Sequence, residues 1–70
     1  MDAAHRGVGI NLQPRELHAG GWTADFTLNE DNGSVTNSTP YYGKNIYPTR
    51  EEARLVGLQS ACRLIDGKLN

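Results

Sequence analysis

The chain has 70 residues, 37% of them hydrophobic and 7% aromatic, with a formal net charge of −1 and one cysteine. That length gives a single domain with a thin core, because a short chain buries a modest share of its surface, and self-association is a common remedy for such a core. The charge balance gives no reason to expect a polyanionic partner, one cysteine excludes an intrachain disulfide or a paired-cysteine metal site, and no apolar run is long enough to span a bilayer. Without a leader-like opening, the expected location is the cytoplasm.

In chain order, residues 1–6 are polar and are expected to fray. Residues 7–12 alternate, with Val8, Ile10 and Leu12 on one side and Gly7, Gly9 and Asn11 on the other, the pattern of a half-buried strand. Gln13-Pro14 ends it, since proline cannot donate to a ladder. A short helical turn is expected at Pro14-Arg15-Glu16-Leu17, before the Gly20-Gly21 pair. Residues 22–28 have the clearest alternation: Trp22, Ala24, Phe26 and Leu28 inward, with Thr23, Asp25, Thr27 and Asn29 outward. Asn32-Gly33 suits a tight hairpin turn, residues 34–39 form a polar return strand, and Pro40 breaks it. Residues 41–47 form a tyrosine-rich loop around Gly43.

The last third carries the strongest signal. Thr49 and Glu52 form a capping box: the threonine accepts an N–H three residues on, and the glutamate reaches back. Glu51 and Glu52 suit the positive end of the helix dipole, and Gly67 suits a left-handed stop. The helix expected over 49–66 places Ala53, Gly57, Ala61 and Leu64 on one stripe, flanked by Leu58, Ile65 and Val56, with Glu52, Gln59, Arg63 and Asp66 opposite. A glycine inside a helix costs about 1 kcal/mol relative to alanine, so Gly57 points to close approach on a sheet. The expected fold is α+β: a three-stranded antiparallel sheet packed against one C-terminal α-helix.

Three stretches, Gly20-Gly21-Trp22-Thr23-Ala24-Asp25-Phe26, Tyr47-Pro48-Thr49-Arg50-Glu51-Glu52-Ala53, and Gly57 with Ile65-Asp66-Gly67, resemble a group of short uncharacterised bacterial proteins. That likeness covers residues 6–67; it implies a sheet-plus-helix module and brings no activity or site. A looser likeness is to AP2-type DNA-binding domains, whose three strands run into a helix opening Thr-x-Glu-Glu-Ala, close to Thr49-Arg50-Glu51-Glu52-Ala53. In that fold the open sheet face reads the major groove with arginines and tryptophans. Here the outward positions are Thr23, Asp25, Thr27 and Asn29, an arginine-free face ill suited to phosphates.

No catalytic, cofactor or metal constellation stands out. His5, His18 and Cys62 lack the paired spacing of structural zinc sites, Glu30-Asp31 reads as turn chemistry, and Gly7-Val8-Gly9 lacks the rest of a dinucleotide fingerprint. Two surfaces remain. Leu55, Leu58 and Cys62 form an apolar helix patch that suggests a homodimer or a protein partner. Tyr41, Tyr42, Lys44, Tyr47, Arg50 and Arg54 form an aromatic–basic patch of the kind found at recognition interfaces, and one that can stack single-stranded nucleic acid. The expected function is a small non-enzymatic interaction domain, with a nucleic-acid-binding module as the alternative.

Overall fold

A tight turn starts the fold. Arg6 (φ 52°) and Gly7 (φ 85°) both take positive φ angles, the geometry of a two-residue type I′ hairpin. It joins β1 (Ala3–His5) to β2 (Val8–Leu12), with His5 opposite Val8 and Ala3 opposite Ile10. The computed structural model describes residues 2–69, and for Asn32 and Leu69 the backbone alone. So the N-terminal stretch expected to fray carries a strand instead. Ala-Ala-His has little intrinsic preference for one; long-range bonds hold it. The Leu12 N–H donates to Asp2 Oδ2 at 2.7 Å, and His5 Nε2 lies 2.8 Å from Asp66 Oδ1 on the helix.

Beyond β2 the chain forms two sheets, where one of three strands was expected. The larger is antiparallel, in the order β1-β2-β5-β6, with β5 spanning Phe26–Asn32 and β6 Val35–Tyr41. The smaller has the order β3-β4-β7, from Arg15–Glu16, Trp22–Thr23 and Ile46–Tyr47. Arg15 and Glu16 are therefore extended and do not form the helical turn expected from residues 14–17. The single strand expected over 22–28 divides at Ala24-Asp25, where the chain leaves the small sheet for the large one. Both residues at the break are buried, and so is Thr23. β6 continues through Pro40 to Tyr41 because it is an edge strand, where a proline is tolerated. At the hairpin between β5 and β6 the turn is Gly33-Ser34, one place on from the expected Asn32-Gly33, because Asn32 pairs with Val35; Gly33 (φ 73°) is the first turn residue, a type II′ position that favours glycine.

The helix α1 (Arg50–Leu69) opens on the threonine half of the expected capping box, with Thr49 Oγ1 accepting the Glu52 N–H at 3.2 Å. It does not stop at Gly67. Lys68 Nζ donates to Glu30 Oε1 at 2.7 Å and ties the last turn to β5, so Gly67 stays helical. The buried ridge is Ala53, Gly57, Ala61 and Ile65, an unbroken i, i+4 row. Leu64, expected on that ridge, is 39% exposed. The ridge packs on β2 and β5 and, toward its start, on β4 and β7. Ile10, Leu12, Phe26, Leu28, Ala61 and Ile65 form the core. Each fully buried large side chain there contributes about 1.5–3 kcal/mol.

Gly57 turns out to have room to spare. A Cβ built on it would meet Leu12 Cδ2 at 3.6 Å and two carbonyl oxygens at 3.8 Å, all ordinary contacts. Gly57→Ala is therefore expected to raise stability by about 0.5–1 kcal/mol through helix propensity. Chemical denaturation checks this; a lower midpoint would mean that the helix sits closer to the sheet than described.

The face of the large sheet away from α1 is polar. Asn29 and Ser38 pair across the strands, as do Asp31 and Thr36, each through a hydroxyl-to-side-chain hydrogen bond. Thr27 and Asn29 hold the outward places expected of them; Thr23 and Asp25 do not.

Candidate functional site

Asp25 is the junction of the fold. Its side chain is 7% exposed, and both oxygens are occupied. Oδ1 accepts the Thr23 hydroxyl at 2.8 Å and the Gly43 N–H at 3.0 Å, and Oδ2 accepts Arg15 Nε at 3.0 Å. Its own carbonyl accepts the Gln13 N–H at 2.9 Å. One carboxylate thus joins β3, β4, the start of β5 and the loop after β6. Burial pushes the Asp25 carboxyl up, but the Gly43 amide, the Thr23 hydroxyl and the Arg15 guanidinium outweigh it and hold it below its ordinary value of 3.8.

Gly43 is pinned from the other side as well. A Cβ there would lie 2.7 Å from the Ala24 nitrogen, a backbone atom that cannot step aside. The chain between β6 and β7 is therefore seated on Ala24-Asp25 at a position that only glycine fits. This seat sets the direction of Tyr42 and Lys44 on either side.

Next to it runs a groove of about 410 Å³. One wall is the helix row Val56, Ser60 and Leu64, the ridge beside the buried one, with Arg63 at its rim. The other wall is residues 41–45 with Tyr47, and the floor is Ala24 and Phe26. Tyr41 is half-buried and stacks on Phe26 with ring centroids 5.1 Å apart and planes at 18°, directly across the β5–β6 register. Tyr47 lies opposite Trp22 across the β4–β7 register. Tyr42 is 71% exposed. The lining is mainly apolar, and among the described residues Lys44 and Arg63 are its only charged members.

Of the aromatic–basic patch expected from the sequence, Tyr41, Tyr42, Lys44 and Tyr47 come together in this groove. Arg50 and Arg54 stand outside it, and Arg54 approaches Glu51 at 3.8 Å. Arg63 and the Val56-Ser60-Leu64 row were missed. The legible signal was their i, i+4, i+8 spacing, one residue out of step with the small-residue stripe.

The three residues of the apolar helix patch differ in exposure. Leu58 and Cys62 are partly buried against the core, and Leu55 is left exposed at 47%. The buried ridge ends in Ile65 in place of Leu64, which rotates the packed arc toward Leu58 and Cys62.

At the far end, Asp66 is held below its ordinary value of 3.8, chiefly by the hydrogen bond to His5 and, against the opposing effect of burial, by Arg6 at 3.3 Å. Among the described residues, no three of His, Cys, Asp and Glu gather as a metal set, and no helix is long and apolar enough to cross a membrane. No curated protein and no solved structure matches the chain. A family model described as a domain of unknown function (DUF6566) matches residues 1–70, and the chain belongs to that family.

Proposed function

We propose that this chain is a small non-enzymatic interaction domain whose recognition surface is the groove between α1 and residues 41–47. The observation that carries the reading is a preformed, mainly apolar groove with cations at its edge and a wall seated on the buried Asp25 carboxylate. Apolar, aromatic-lined concavities with a few charged groups are the usual form of recognition sites. The acidic groups support a binding role over catalysis. Asp25 is hydrogen-bonded through both oxygens and held below its ordinary value, and Asp66 and Glu30 are tied into ion pairs, so these carboxylates are engaged in holding the fold together. A reducing, cytoplasmic setting fits the single Cys62.

A homodimer through the outer helix face has less to stand on with Leu58 and Cys62 turned to the core. The nucleic-acid reading draws on the tyrosines and the two groove cations, but the open face of the large sheet offers cross-strand pairs such as Asn29–Ser38 and Asp31–Thr36 in place of arginines.

The test is a selection of random displayed dodecapeptides on the folded chain, counter-screened on Ser60→Trp. Ser60 is half-buried in the groove wall, so the indole fills the groove and leaves the helix ridge intact. Recovered peptides should lose at least tenfold in affinity for the variant while its helical circular dichroism is unchanged. Equal binding to both proteins would reject the groove.

A further inference from the structure

We infer that the groove takes an acidic peptide segment of a partner protein, seating an aliphatic or aromatic side chain between α1 and Tyr41 and a carboxylate against Lys44 and Arg63. This rests on the groove being a recognition surface, and adds the chemistry of its occupant.

Charge comes first. Of the seven lysines and arginines, Arg6, Arg15, Arg54 and Lys68 have carboxylate partners. Among the described residues, Lys44, Arg50 and Arg63 do not, and two of these three border one groove. They come from opposite walls: Lys44 from the loop seated on Asp25, Arg63 from the helix. Among the described residues the lining contains no carboxylate, although acidic residues outnumber basic ones in the chain, 8 to 7. An incoming anion therefore meets two cations, the complementarity that sets partner choice and register, while the carboxylate beneath the loop wall, Asp25, is already paired with Arg15.

The shape then separates the classes of anion. A small-molecule site typically buries some 70–90% of its ligand, whereas this groove is open to solvent along one side. A peptide needs only an anchor side chain buried there while its backbone stays outside. Nucleic acid would need more cations than the groove has: binders that make ~6–10 phosphate contacts draw much of their affinity from them, and two lining cations fall short.

The experiment uses the peptides recovered by selection on the wild-type chain, together with a synthetic dodecapeptide that alternates Asp or Glu with Leu and Phe. The recovered sequences should be enriched in acidic residues beside large apolar ones. The charge-reversed variant Lys44→Glu/Arg63→Glu, altered only at exposed side chains, should bind the synthetic peptide at least tenfold more weakly and prefer the same peptide with lysine at every acidic position. Uncharged or basic peptides that Ser60→Trp still excludes would overturn this inference and leave the groove reading standing. Peptides indifferent to Ser60→Trp, or no enrichment at all, would overturn both. Oligothymidylate binding more tightly than the acidic peptide would overturn it in favour of nucleic acid.

Discussion

Asp25→Ala is expected to lower stability by about 3 kcal/mol, because it removes one carboxylate on which a hydroxyl, a backbone amide and a guanidinium converge. The loss is kept from being larger by Arg15, whose side chain is 56% exposed and can return to water. In a domain of this size about 1 kcal/mol moves Tm by 4–8 °C, so the transition should fall by roughly 12–24 °C. Asp25→Asn keeps an oxygen for Thr23 and Gly43 but turns an NH2 donor toward Arg15 Nε in place of the accepting oxygen, and with Arg15 free to swing into water this predicts a cost of about 1–2 kcal/mol. The sign of the pH effect follows from the direction of the shift. A carboxyl held lower in the folded than in the unfolded chain stabilises fully above its unfolded value, and that stabilisation is lost as pH falls below 3.8 through the folded value. Denaturation midpoints should be level down to about pH 5 and then fall. The Asp25→Asn variant should fall less steeply, retaining the part due to Asp66, which is shifted in the same direction. Equal acid slopes would show that the Asp25 carboxyl titrates normally.

Gly43→Ala should be nearly as damaging for a different reason. Its methyl would lie 2.7 Å from the Ala24 nitrogen, so the loop must lift and the 3.0 Å bond from the Gly43 amide to Asp25 must lengthen. Overpacking of this kind costs about 1–3 kcal/mol. The consequence for the groove is larger than the stability loss, because Tyr42 and Lys44 move with the loop. Contrast Gly57→Ala, one helix ridge away, where the same added methyl fits. Thermal denaturation of the two variants separates them: the transition should fall for Gly43→Ala and rise for Gly57→Ala. The reverse order would mean that the loop, and not the helix, has slack.

Much of this was written locally in the chain. The Thr49 cap, the alternation of Val8, Ile10 and Leu12, and the Gly33 turn are set by neighbours in sequence, and reading them required no tertiary knowledge. What could not be read depended on contacts distant in sequence. β1 exists through Asp2 on Leu12 and His5 on Asp66, 61 residues apart. The division at Ala24-Asp25 is hidden because the period of two continues through it: inward and outward alternate identically whether a strand goes on or changes sheets. That is also why Asp25 was assigned to solvent. Its burial is decided by Gly43, 18 residues away. Half of the groove was legible as a run of tyrosines. Arg63 was hidden because a charge on a helix flank reads as solvated until a loop is laid beside it.

In the function we propose, residues 41–47 and α1 form a recognition surface seated on Asp25. The most direct measurement is the amide chemical-shift footprint of the full chain titrated with the acidic dodecapeptide. On that reading, saturable changes are expected at Tyr41, Gly43, Lys44, Val56, Ser60 and Leu64, with Asn29, Asp31, Thr36 and Ser38 on the far sheet face unmoved. A footprint centred on that sheet face, or on Leu55 and the outer helix surface, would contradict it.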